Sequence, residues 1–315
     1  MLRSLVFIAL AALLTSGAAT AASEVSPAPT GAASAPGAQA PAEVSFAIIR
    51  TGGSHTREAV TFSGGSFSKK VGGVWSAFLV KHNGKLVLLD SGLGSKMAEQ
   101  FDTDMPSWGK PLFRYEEEGP VVPARKQLDA AGMPPIEHIV LTHAHWDHAS
   151  GLVDFPGAEI GVSEEEMASV RQAKSSMGKP WPSQVGSKDL KWKILQFQPV
   201  PYEGFERSLD MYGDGSVVLV PMYGHTPGSV GMFVKVTSGK RYFFVGDVVW
   251  NAGALAEGRP KLWPVRKMVD HDDMQTQAAI DRIRAVMKRN PGLVVVPSHD
   301  GGVQDTLGYF PAWVR

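Results

Sequence analysis

The segment Thr142-His143-Ala144-His145-Trp146-Asp147-His148 constrains this chain more than any other. Four residues able to ligate a metal fall within six positions, directly after the apolar run 139–141, which reads as a short buried strand. Side chains alternate along an extended backbone, so His143 and His145 point to the same side. Asp147 and His148 then turn toward a neighbouring position. Imidazole and carboxylate are the ligands expected for zinc and similar first-row metals. A cluster this dense serves two metals only if distant parts of the chain deliver further ligands to the same place.

Three later segments are suited to deliver them. Gly224-His225-Thr226-Pro227-Gly228 is a turn just after the apolar run 217–221. Gly246-Asp247 follows the run 241–245, and Pro297-Ser298-His299-Asp300 follows the run 293–296. Strand ends commonly present functional groups on a rigid scaffold. Five of the nine histidines are used in this way. His55, His82, His138 and His271 read as surface or locally satisfied residues.

The remaining pattern predicts a layered α/β domain. Strands are expected at 44–49, 194–197, 217–221, 230–236, 241–245 and 293–297. Residues 74–81 and 86–90 read as a hairpin, because Asn83-Gly84 is a strong tight-turn signal. A helix is expected at 123–131, stopped by Gly132-Met133-Pro134. Another is expected at 163–174, with Ser163 as N-cap and Glu166 completing a capping box. A third, at 273–289, carries the apolar stripe Ile280, Ile283 and Met287 and ends at Asn290-Pro291-Gly292.

Composition narrows the classes. Lysine plus arginine balance aspartate plus glutamate, giving a formal net charge of zero, which argues against a nucleic-acid partner. The chain has no cysteine, so no disulfide forms and no thiolate binds metal or acts as a nucleophile. Arg3, the apolar run 5–14 and Ala19-Thr20-Ala21 read as a secretory signal over residues 1–21. A periplasmic or secreted protein with no membrane attachment after cleavage is therefore expected. Residues 22–43, rich in Ala, Pro, Ser and Gly, read as a flexible linker. The folded catalytic domain is expected to span 44–315.

The ordered set H-x-H-x-D-H, His, Asp, His resembles the metallo-β-lactamase superfamily. Leu88-Leu89-Asp90-Ser91-Gly92 resembles the acidic turn that its members carry before the His motif. The resemblance runs from about residue 44 onward. It implies an αββα sandwich with metals at one edge of the paired sheets. It also implies that His143, His145 and His225 bind one metal, that Asp147, His148 and His299 bind the second, and that Asp247 bridges both. Asp90 would orient a ligand histidine. Two divalent ions are implied, zinc by default, with iron, manganese or cobalt also compatible with these ligands.

A charge count follows from that set. Two metals bring four positive charges, and Asp147, Asp247 and a bridging hydroxide bring three negative ones. The remaining positive charge suits a developing oxyanion or a phosphoryl oxygen. Hydrolysis of a small molecule by the bridging hydroxide is expected, with Asp247 holding the metals and Asp147 available to pass a proton.

The absence of cysteine argues against β-lactamases that use it as a ligand. Asp247 as a bridge resembles lactonases, thioesterases and organophosphate hydrolases, and Ser298-His299-Asp300 resembles the ending of acyl-homoserine lactonases. Trp250 stands where such lactonases often carry Tyr, and an indole donates a hydrogen bond without acting as a phenol. A lactone or other carboxylic ester is the expected substrate. The alternatives are a glyoxalase II-like thioester, a β-lactam, an organophosphate, or metal binding without turnover. Trp108, Met222, Tyr223 and Trp250 are candidates for the substrate pocket, with core packing as their other reading. Trp250 is expected to face substrate because it follows Asp247 so closely.

Overall fold

The computed structural model describes residues 41–315. The signal expected at 1–21 and the linker residues 22–40 lie outside the described residues. Among the described residues, no helix is long and apolar enough to cross a membrane.

The first sheet takes its strands in chain order. They are β1 (Val44–Arg57), β2 (Lys70–His82), β3 (Lys85–Leu89), β4 (His138–Val140), β5 (Glu159–Val162) and β6 (Lys191–Ile194). β1, β2 and β3 run antiparallel, and β3 to β6 run parallel. The second sheet contains β7 (Leu209–Asp210), β8 (Val217–Pro221), β9 (Val230–Lys235), β10 (Arg241–Phe244) and β11 (Val294–Val296). Its order is β11-β10-β9-β8-β7, with β11 parallel to β10 and the others antiparallel.

The β2–β3 hairpin turns at Asn83 (φ 46°) and Gly84 (φ 82°). Both central residues have positive φ, as a type I′ turn requires, and its twist matches that of the flanking strands.

Alternation along the strands divides the core into layers. Phe46, Ile48, Phe78, Val80 and Leu89 of the first sheet meet Leu219, Met232, Val234, Tyr242 and Phe244 of the second. The opposite faces are covered by helices. Ile49, Leu79, Leu88 and Ile160 pack with Ala124 and Leu128 of the helix Ala124–Ala130. Val220, Phe233 and Phe243 pack under Ala279, Ile280, Ile283 and Val286 of the helix Asp273–Arg289. The result is the helix–sheet–sheet–helix sandwich that the resemblance implied.

Several bounds differ from expectation. β1 runs on to Arg57, because it pairs with β2 along its whole length around an irregularity at Arg50/Gly52. Thr51-Gly52-Gly53-Ser54 reads locally as a breaker, and only this pairing makes it strand. The strand expected at 194–197 is the edge strand Lys191–Ile194, held by β5. The helix expected at 163–174 is confined to Glu164–Val170.

Phe46 tests the inter-sheet packing. It is fully buried and meets Tyr242 and Phe244 edge-on, with ring centroids 4.8 and 5.1 Å apart. Phe46→Ala is expected to lower stability by about 3–5 kcal/mol, read by urea unfolding. A loss below about 1 kcal/mol would show that the sheets do not lock here.

Candidate metal centre

Four strand ends converge on one edge of the sandwich. β4 leads through Leu141 into the His loop, β8 into Gly224-His225, β10 into Gly246-Asp247 and β11 into Ser298-His299. The loops are stitched together by backbone bonds, Val230 N–H to Thr142 O (2.8 Å) and Ser298 N–H to Gly246 O (3.2 Å). Gly224 (φ 136°) lies so close to the next element that a Cβ would stand 2.3 Å from Thr276 N. A side chain there would push the helix Asp273–Arg289 off the His225 turn.

The convergence yields two groups of potential ligand atoms. His143, His145 and His225 form one, and Asp147, His148, Asp247 and His299 form the other. Within each group the atoms lie within 4.8 Å of one another. His143 Nε2 and His225 Nε2 face each other at 3.1 Å. Asp247 stands between the groups: its Oδ2 is 3.7 Å from His225 Nε2 and 3.0 Å from His299 Nε2. Asp147 Oδ2 is 3.2 Å from His299 Nε2.

Two of these atoms show that the second group fits a cation. His148 Nε2 and Asp247 Oδ1 are buried, 3.3 Å apart, and neither makes a hydrogen bond among the described residues. A buried polar atom without a partner is costly. A cation between them would satisfy both.

The far side of three of these imidazoles is held by a buried oxygen acceptor. Asp90 accepts from His148 Nδ1 at 2.8 Å and from Thr142 N–H at 2.7 Å. Its carboxylate also accepts from the Thr142 hydroxyl at 2.8 Å. Asp90 itself holds φ 58°, a left-handed conformation that Asp tolerates better than most residues. Asp270 Oδ1 accepts from His225 Nδ1 at 2.7 Å, and Val74 O accepts from His299 Nδ1 at 2.8 Å. These bonds fix which ring nitrogen faces the site.

The two groups differ electrostatically. Burial, then His225, pushes His145 down to about 3, and burial also lowers His143 and His225. Burial thus favours the uncharged form of all three, the form that ligates a metal. Burial likewise opposes charge on His299, but Asp247 and Asp147 outweigh it and lift the imidazole to about 10. Asp247 is held well below the usual carboxylate range, because His299 and His148 outweigh its burial.

The pocket candidates separate. Trp250 lines the cavity above the ligands, and its indole N–H donates to Asp247 Oδ2 at 2.7 Å. Met222 does not reach the cavity; it is buried among Val220, Phe233 and Phe243, because its position beyond β8 faces the helix layer. Tyr223 lies outside the lining beside Glu165, and burial and Glu165 push its phenol up to about 12. Trp108 is exposed and lies outside the lining, which the same loop supplies instead through Pro111, Leu112, Phe113 and Arg114.

Sequence reasoning also missed three buried polar residues. Glu166 does not close a capping box. Ser163 Oγ does accept from Glu166 N–H, but the Glu166 carboxylate turns inward. There it accepts from Ala144 N–H (2.8 Å), Thr226 Oγ1–H (2.6 Å) and Gly228 N–H (3.2 Å). It thereby ties the His loop to the His225 turn. Asp270 sits in Val269-Asp270-His271-Asp272-Asp273, an acidic run that reads as a helix start. Nothing in the local pattern distinguishes Lys261. Of the spare histidines, His82 Nε2 lies 2.6 Å from Asp214 Oδ2, His271 is exposed, and His55, 3.0 Å from Glu118 Oε1, lines the cavity above the ligands.

Asp90→Asn is expected to keep the fold and weaken zinc binding about 10–100-fold, measured by competition with a chromophoric chelator. Unchanged affinity would show that Asp90 does not orient His148.

Comparison with known proteins agrees with this geometry. The profile of the metallo-beta-lactamase superfamily matches residues 72–299. A probable metallo-hydrolase of Mycobacterium tuberculosis is 31% identical over 241 residues, covering 70% of this chain and 73% of that protein. The N-acyl homoserine lactonase AttM of Azorhizobium caulinodans is 27% identical over 244 residues, covering 71% of this chain and 80% of its own. Among solved structures, an N-acyl homoserine lactone hydrolase with N-hexanoyl-L-homoserine at its catalytic metal centre superposes with a TM-score of 0.64. It is 16% identical, covering 86% of this chain and 98% of its own. The chain is a metal-dependent hydrolase belonging to the metallo-beta-lactamase superfamily.

Proposed function

We propose that this hydrolase opens a lactone or other carboxylic ester bearing an apolar acyl group, at a two-metal centre. The observation that carries this reading is the cavity above the ligand atoms, about 520 Å³ in volume. Its floor is His145, Asp147, His225, Asp247 and His299, and its walls include Trp75, Phe113, Met177, Val265 and Met268. Polar chemistry at the bottom of an apolar slot suits a reacting carbonyl attached to a hydrocarbon chain. The AttM relative, named as an N-acyl homoserine lactonase, supports the same class.

His143, His145 and His225 would hold one ion, Asp147, His148 and His299 the other, with Asp247 shared. When bound, two such ions supply hydroxide near neutral pH and draw electrons from a carbonyl or phosphoryl oxygen. Zinc fits the donor set, as would iron, manganese or cobalt. Asp147, on the cavity floor, would pass a proton to the departing oxygen. Trp250 restrains the Asp247 carboxylate through its N–H.

One observation favours a second reading. The Trp250 N–H is already committed to Asp247 and cannot protonate a leaving group. Substrates whose leaving group departs as a stable anion, such as aryl phosphotriesters, would need no donor there.

Export belongs to the same proposal. Residues 1–21 act as a cleaved signal, and N-terminal sequencing of protein from the periplasm or medium is expected to begin near Ala22. A chain that keeps residues 1–21 would count against it.

The zinc-loaded chain is expected to release acid from N-acyl homoserine lactones in a pH-indicator assay, and chelator should abolish the release. Lactones left intact while an aryl phosphotriester is cleaved would favour the second reading. Asp247→Ala is expected to lower kcat at least about 100-fold, with metal lost. Full activity with unchanged metal content would exclude Asp247 from the centre.

A further inference from the structure

Lys261 is the one lysine among the largest fully buried side chains, 1% exposed. A buried ammonium is expensive unless every proton finds an acceptor. Lys261 Nζ donates to Asp247 O at 2.6 Å and to Asp270 Oδ1 at 2.8 Å, and reaches Val248 O at 3.5 Å. It also lies 5.4 Å from the centre of the Trp250 ring, within cation–π range. Two of these partners belong to the metal centre. Asp247 stands between the ligand groups, and Asp270 Oδ1 is also the atom that accepts from His225 Nδ1. The other oxygen, Asp270 Oδ2, is buried with no hydrogen-bond partner among the described residues. The carboxylate is thus held at a single oxygen shared by the ammonium and the imidazole.

The chain between these residues makes the contact more than a local ion pair. The helix Trp263–Val269 separates Lys261 from Asp270. Just beyond it, His271 N–H and Asp272 N–H donate to Gly224 O, and His271 N–H also reaches His225 O. One end of the segment therefore holds Asp247, and the other holds the His225 turn. The Lys261–Asp270 pair closes the loop between them. Val265, Met268 and Val269 of the same helix line the cavity.

We infer that Lys261 is a positioning residue, which clips the His225 turn to Asp247 and so sets the spacing of the two metal-ligand groups. Its ammonium holds the Asp270 carboxylate on His225 and the Asp247 carbonyl at a fixed distance from both. The inference rests on the two-metal reading but not on the identity of the substrate.

The test is zinc affinity and stoichiometry of the purified chain, measured without substrate by chelator competition and elemental analysis, with circular dichroism to establish folding. Lys261→Met keeps much of the side-chain volume and removes the charge. It is expected to bind zinc about 10–100-fold more weakly, with fewer than two ions per chain at equal free zinc. A folded Lys261→Met with wild-type affinity would overturn the inference.

An unpaired Asp270 charge could by itself unfold that variant. Lys261→Met/Asp270→Asn removes both charges and leaves an amide oxygen to accept from His225. The double variant is expected to fold and to bind zinc about tenfold more weakly than Asp270→Asn alone, because nothing then holds the Asp247 carbonyl. Affinity in the folded double variant equal to that of Asp270→Asn, or to wild type, would show that the pair only balances its own charge. Failure of the lactone assay with normal zinc binding would instead strike the substrate reading and leave this inference standing.

Discussion

A neutral imidazole offers a metal the ring nitrogen opposite the one that carries its proton, and in a dry interior a fixed acceptor for that proton settles which nitrogen faces the metal. This requirement organises the structure. His148 leans on Asp90, His225 on Asp270 and His299 on the Val74 carbonyl. Each acceptor comes from a different part of the chain, so the site cannot form until both sheets and the helix Trp263–Val269 are in place. Ionised groups packed this densely would cost several kcal/mol each if left unpaired. Among the described residues, the partnerless atoms His148 Nε2 and Asp247 Oδ1 face each other at the centre, where cations would complete the balance.

The sandwich serves this arrangement. Aromatic packing between the sheets, with Phe46 against Tyr242 and Phe244, fixes the relation of strand ends that lie far apart in sequence. Glu166 adds a second constraint by joining the His loop to the His225 turn with three hydrogen bonds. Burial raises its pKa even so, which marks how far this link sits from water. Rigid ligand placement comes from these outer contacts rather than from the short loops that carry the ligands.

Trp250 ties the cavity to the ligand cluster. Its N–H lies on Asp247 Oδ2 and its ring lies against Lys261. It steadies the Asp247 carboxylate with a hydrogen bond that leaves no indole N–H for a substrate. On the proposed reading, discrimination among substrates falls to the cavity's shape and to the leaving group.

The sequence determined the ligand types, their order and the strands that carry them, because metal ligation demands particular residues and strand periodicity is local. The hairpin at Asn83-Gly84 and the helix Asp273–Arg289 were legible for the same reason. The extension of β1 through Gly52-Gly53 was not, since it depends on pairing with β2. The pocket lining was legible only at Trp250. Met222 was placed in the helix-covered layer, Tyr223 lies outside the cavity lining, and Trp108 stands exposed in a turn whose later residues line the cavity instead. Asp270, Lys261 and the inward turn of Glu166 were invisible, because a charged residue in a sequence reads as solvent-facing until the fold supplies a buried partner. Tertiary structure alone decided those partners, since burial and opposite charge at 3 Å are properties of the packed chain and not of any stretch of it.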